Sequence, residues 1–241
     1  MLRRSVVLLA ILALTLCQAS AKIIINPYVF GAAVALYRAT CVTDGTNLTT
    51  YTFSNITITG VDDTDSVVVV VGIVGEDSDP TFGVSSATVE GGAATELVDE
   101  GGAGGGANGA IYRSDTITNA AIVDITVTWS EALTSSTVCV WALENLSSST
   151  PTATAADSDG TGADIILTLD PTTAGGFAVG VCIDRVNTVG WAWDVLAEVE
   201  DADSGEHRYT NADAATTGAS MAVTCNSTGT SNASGAAAAF R

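Results

Sequence analysis

The sequence predicts an all-β protein, a jelly-roll-like antiparallel β-sandwich of more than ten short strands. Three observations predict it. Apolar residues recur with period two along most of the 241-residue chain, turn dipeptides punctuate the alternating runs, and no amphipathic stretch is long enough to supply a layer of helices. With only four prolines, little interrupts strand pairing.

The elements follow in order. Val34 to Cys41 and Thr49 to Thr59 alternate, and Val67 to Val71 is an unbroken β-branched run suited to a central strand covered on both faces. TVEGGAATEL, with Gly91-Gly92 at its turn, continues the strand Val84 to Glu90 into a tight hairpin. In AIVDITVTW the residues Ala121, Val123, Ile125, Val127 and Trp129 face one way, with Asp124, Thr126 and Thr128 facing the other. Further strands are expected at Val138–Leu143, Asp164–Leu169, Phe177–Ile183, Trp191–Val195, His207–Thr210 and Met221–Cys225. Asp44-Gly45, Asp159-Gly160 and Gly175-Gly176 mark turns between them.

The N-terminus reads differently. Arg3 and Arg4 precede an apolar run from Val6 to Leu16 and the small residues Ala19, Ser20 and Ala21, the layout of a secretory signal peptide cleaved before Lys22. As a helix that run spans about 16 Å, too short for a bilayer core of roughly 30 Å. Residues 1–21 are therefore expected to be a signal peptide or a retained hydrophobic segment. Residues 22–45 then form an extended segment joining the sandwich, and residues 46–241 the sandwich itself. Loss of residues 1–21 leaves six basic side chains against 27 acidic ones. Such a surface repels phosphate, which argues against nucleic acid or an anionic membrane as partner, and no integral span is expected in the mature chain.

Four cysteines remain beyond Cys17, an even number in an exported chain, and allow three connectivities. Cys41 and Cys225 both read as strand ends near the termini, so the expected pairs are Cys41 with Cys225 and Cys139 with Cys182. Glycosylation sequons stand at Asn47, Asn55, Asn145, Asn226 and Asn232.

GGAGGGANGAIYR, residues 101–113, contains a G-x-G-x-x-G of Gly104, Gly106 and Gly109, with Asp124 at dinucleotide-fingerprint spacing. A phosphate cradle needs a helix after the last glycine, and AIYRSDT is strand-like, so the fingerprint fails on context. The expectation is an irregular, exposed loop over 101–109, extended backbone from about Ile111, and no helix after Gly109.

Catalytic signals are sparse. His207 is the single histidine and, between Glu206 and Arg208, reads as a surface residue; no G-x-S-x-G or H-E-x-x-H accompanies it. No enzyme activity is expected. Calcium is the one cation the acidic loops suit: Asp157, Asp159 and Asp164 surround a glycine turn in DSDGTGAD, and Asp62, Asp63 and Asp65 lie in VDDTD, against the plainer reading of solvated acidic loops. Trp191 and Trp193 share a face of a strand and offer a stacking platform for sugar rings, with Arg185 close by; the plainer reading places both in the core.

IINPYVFG, YTFSNITITG, SVVVVVGIVG, VSSATVEGGAATELV, AIVDITVTWS, VCVWALENL, GGFAVGVC and the ending GAAAAFR, in that order, resemble tailed-phage and prophage virion proteins over most of residues 24–241. The hairpin VEGGAAT, Val89 to Thr95, carries the resemblance best. It implies a non-enzymatic fibre, decoration or adhesion module at a virion surface or in another extracellular assembly, in contact with other subunits and forming a homo-oligomer. The alternative is a secreted lectin-like module, calcium-dependent if the Asp157 loop binds.

Overall fold

The computed structural model describes residues 33–241 except 79–80, 102–105, 162–163, 171, 186–189, 205–206 and 228–231; the expected signal segment lies outside the described residues. All regular structure among the described residues is strand, and none of it is a helix able to cross a membrane. The first ten strands are β1 (Ala35–Arg38), β2 (Val42–Asp44), β3 (Leu48–Thr57), β4 (Val67–Glu76), β5 (Val84–Val89), β6 (Gly92–Ala93), β7 (Thr95–Asp99), β8 (Ala107–Ile117), β9 (Ile122–Leu133) and β10 (Ser135–Glu144). Eight more follow: β11 (Ala153–Asp159), β12 (Ile165–Leu169), β13 (Phe177–Asp184), β14 (Trp191–Trp193), β15 (Ala197–Asp203), β16 (Arg208–Ala215), β17 (Met221–Ser227) and β18 (Ala233–Phe240).

These strands build two sandwiches rather than one. Sheet I runs β1-β10-β4-β8-β7, with β2 also on β10, and sheet II runs β3-β9-β5-β6. Sheet III runs β11-β18-β13-β16-β15 and sheet IV β12-β17-β14. Leaving aside β2 and β6, each half has eight strands whose larger sheet reads first-eighth-third-sixth-fifth and whose smaller sheet reads second-seventh-fourth. Both halves are antiparallel jelly rolls in which the fifth strand joins the edge of the larger sheet. The topology is repeated in tandem, once before and once after the connection at residues 145–152.

Packing stacks the four sheets as II–I–III–IV. Along β4, Val67, Val69, Val71 and Ile73 fill the core shared with sheet II, and Val68, Val70 and Val74 fill the core shared with sheet III. The valine run is thus buried on both faces, as its composition predicts. Sheet III is an inner layer too: β18 turns Ala236, Ala238 and Phe240 toward sheet I, and Ala237 and Ala239 toward sheet IV. Small residues let these inner sheets approach closely. A Cβ built on Gly109 in β8 would lie 3.1 Å from the Gly235 Cα in β18, and the Gly109 N–H donates to Ser234 Oγ at 3.0 Å.

Two local expectations change. Ala107–Gly109 are not loop but buried strand, paired through β8 with Glu76, Gly75 and Val74 of β4, and Gly106 is buried at φ +111° beneath Arg185. The glycines stay small there because a Cβ on Gly106 would sit 2.3 Å from the Asp77 carbonyl oxygen. No helix follows Gly109, as expected. The β5–β6 hairpin turns on Glu90 and Gly91, both at positive φ, one residue earlier than Gly91-Gly92 suggests.

Candidate functional site

The seam between the two jelly rolls gathers the polar chemistry of the chain. Period-two alternation in β16 and the residue before it points His207, Tyr209, Asn211 and Asp213 toward sheet I, where β10 presents Ser135, Thr137, Cys139 and Trp141 in step. His207 Nδ1 lies 2.6 Å from Ser135 Oγ and Nε2 lies 3.2 Å from Thr137 Oγ1. Asn211 Nδ2 lies 2.6 Å from Cys41 Sγ and 3.5 Å from Cys139 Sγ. Asp213 accepts the Trp141 indole N–H at 3.2 Å and a bidentate pair from the Arg38 guanidinium on β1.

His207 is therefore not a surface residue; it is completely buried, and the structure corrects that expectation. Its charged neighbours in sequence concealed a side chain satisfied by hydroxyls of β10, far away along the chain. Burial pushes its pKa down to about 4, opposed only in part by the negative charge of Asp203. A serine hydroxyl 2.6 Å from an imidazole has the spacing of a nucleophile and its base. Here both groups are sealed, and the second ring nitrogen faces a threonine hydroxyl, so the arrangement holds sheets together instead of presenting a nucleophile.

This burial sets a pH dependence. In the unfolded chain the imidazole titrates near about 6.5. Between that value and about 4 the unfolded state binds the proton and the folded state excludes it, so stability falls as pH falls. From about pH 7 to about pH 5 the loss from this one group is about 2 kcal/mol, and below about pH 4 it grows no further. His207→Asn should flatten this part of the profile, read as urea midpoints at the two pH values. An equal slope in both proteins would show that carboxylates alone set it.

The disulfide expectation is also corrected. Cys41 is joined to Cys139, with a Cα separation of 4.2 Å, while Cys182 and Cys225 are buried thiols. The reason is topological. The segment following β1 runs beside β10, which brings Cys41 to Cys139 within sheet I, whereas Cys225 belongs to the other jelly roll, in sheet IV.

The remaining candidate ligands disperse. Trp191 is buried and Trp193 half-buried, and both pack into the core between sheets III and IV, with Trp193 donating to Thr210 Oγ1 at 2.9 Å. They share a face as the spacing requires, but it is the inner one, so the sugar platform is lost. Arg185 lies over Gly106 instead of beside them. Asp157 and Asp159 are strand residues of β11, not members of a loop. Asp157 accepts the N–H groups of Ser158 and Ile166, and Asp159 accepts the Thr161 backbone N–H and hydroxyl O–H, while Asp164 is exposed before β12. No group of three metal-ligating side chains forms among the described residues, so the three aspartates make no calcium cage there. In VDDTD, Asp65 caps its own loop by accepting the Asp62 N–H at 2.9 Å.

At the solvent edge of the seam an open cleft of about 390 Å³ is lined by Arg38, Ala39, Thr40, Thr57, Thr59 and Glu200, among others. Its charges are committed. Arg38 holds Asp213, and Glu200 accepts the Cys41 N–H at 3.0 Å and the Tyr209 hydroxyl at 3.3 Å. Arg38, Ser135, Thr137, Asn211 and Asp213 were missed by motif reading. The alternation of His207, Tyr209, Asn211 and Asp213 with Thr210 and Ala212 was the available signal, a polar row too regular for a surface loop.

These features define a class: an all-β protein of two tandem jelly rolls packed through their larger sheets around a polar, disulfide-bearing seam. No family model, no curated protein and no solved structure matches the chain.

Proposed function

We propose that this chain is a non-enzymatic structural or adhesion module, displayed on a virion or another extracellular assembly and working through contacts with further copies of itself and other subunits. One observation carries the reading. The groups best suited to chemistry are spent inside the molecule, His207, Ser135 and Asp213 on joining the jelly rolls and the cysteines within each of them, which leaves the outer sheets and edges as its working surfaces. Sheet II offers such a surface: Thr50 meets Thr128 and Thr52 meets Thr126 across β3 and β9, on an exposed face. An extracellular setting fits the Cys41–Cys139 bridge, since such bonds persist where thiols are not kept reduced.

Light scattering of the purified chain over a wide concentration range, followed by negative-stain imaging, tests it. A discrete homo-oligomer or a regular array is expected. A monomer at every concentration, with turnover of any substrate panel member that is lost on blocking a surface residue, would overturn it.

A further inference from the structure

We infer that Cys182 and Cys225 are the two halves of a second disulfide, closing sheet III onto sheet IV before the second jelly roll finishes packing. Cys182 lies on β13 and Cys225 on β17, both wholly buried in the core between those sheets. Cys41 and Cys139 are already joined, so these two are each other's remaining partners among the described cysteines. The surroundings are cut to the sulfurs. Gly235 is the strand neighbour of Cys182, and a Cβ there would lie 2.6 Å from Cys182 Sγ and 3.0 Å from Ile165, which is itself the strand neighbour of Cys225. A glycine in an otherwise alanine-rich strand leaves the space that the Cys182 sulfur occupies, next to the strand neighbour of Cys225.

The chemistry is thiol–disulfide exchange with an external disulfide, of the glutathione or protein-oxidant class. One cysteine, as thiolate, attacks that disulfide, forming a mixed disulfide and releasing one acceptor thiolate. The second cysteine then attacks the protein sulfur of the mixed disulfide and releases the other. Two protein thiols lose two protons and two electrons, and one acceptor disulfide becomes two thiols. Burial raises both thiols above their ordinary range, so the attacking thiolate is scarce once the core is dry. Closure therefore belongs to folding, and the closed bond is afterwards shielded from reductant. Each jelly roll then carries one internal bridge and none crosses the seam. The inference is independent of the display role, because thiol state is measured without reference to assembly.

The test uses the full chain refolded in a glutathione redox buffer, then unfolded and alkylated without reductant, with label mapped to each cysteine by peptide mass. No label at Cys182 or Cys225 and a peptide joining them are expected, along with a higher urea midpoint than for the same protein held reduced. Full labelling of both residues, or peptides joining Cys41 to Cys225, would overturn it. As a second arm, Cys225→Ser should leave Cys182 labelled only after unfolding. If that variant does not fold, the wild-type peptide map alone decides.

Discussion

Arg38→Ala is expected to cost about 3 kcal/mol of folding stability, read as a lower urea midpoint at unchanged slope. The reason is the asymmetry of the pair. Asp213 is 2% exposed, whereas the Arg38 side chain is 47% exposed. Removing the arginine leaves a buried carboxylate with the Trp141 indole N–H and no cation, and stranded charges of this kind cost about 3–5 kcal/mol. The lower end applies because water can follow the guanidinium out through the open cleft at Arg38. Asp213→Asn keeps the shape and one acceptor, and lets the arginine turn to solvent, so about 1 kcal/mol is expected. A loss below about 1 kcal/mol for Arg38→Ala would place the pair among surface bridges of little consequence and remove it as a clamp between the jelly rolls.

The fold class was legible because alternation is a direct record of half-burial. The row from Val123 to Trp129 points inward, as the pattern demanded. The valine run of β4 announced two-sided cover, because only an inner sheet hides both faces. The duplication was not legible. Equivalent strands fill different spaces with different side chains: the eighth strand of the first jelly roll is SSTVCVWALE, that of the second ASGAAAAF. Spacing showed that Trp191 and Trp193 share a face, yet period two does not say which face is the core. DSDG resembled a loop because aspartate and glycine favour turns, but β11 is a sheet edge, where Asp157 and Asp159 bind neighbouring N–H groups. The polar seam depends on β16 meeting β10, strands about 70 residues apart whose register no local pattern encodes.

Gly72→Ala is expected to be as damaging as loss of the arginine, and its rescue locates the cause. Gly72 faces the seam from β4, pinned on both sides by pairing with Cys139 and Ile111. A Cβ there would lie 2.3 Å from Val181 Cγ1 on β13 and 3.1 Å from the Trp141 ring, and both neighbours are buried. A branched valine and a boxed-in tryptophan have no room to give. The inner sheets must separate or the rings leave their rotamers, at about 3 kcal/mol. Val181→Ala alone removes two methyl groups from the seam and should cost about 2 kcal/mol. Together the changes should not add: the methyl on residue 72 enters the space vacated by the valine, and the double variant should lose about 2 kcal/mol instead of about 5. Additive losses in that cycle would mean that the glycine serves its own strand and not the spacing between the jelly rolls. A double variant no less stable than Val181→Ala alone would mean that the distance between sheets I and III is set by one missing side chain at the centre of the four-layer stack.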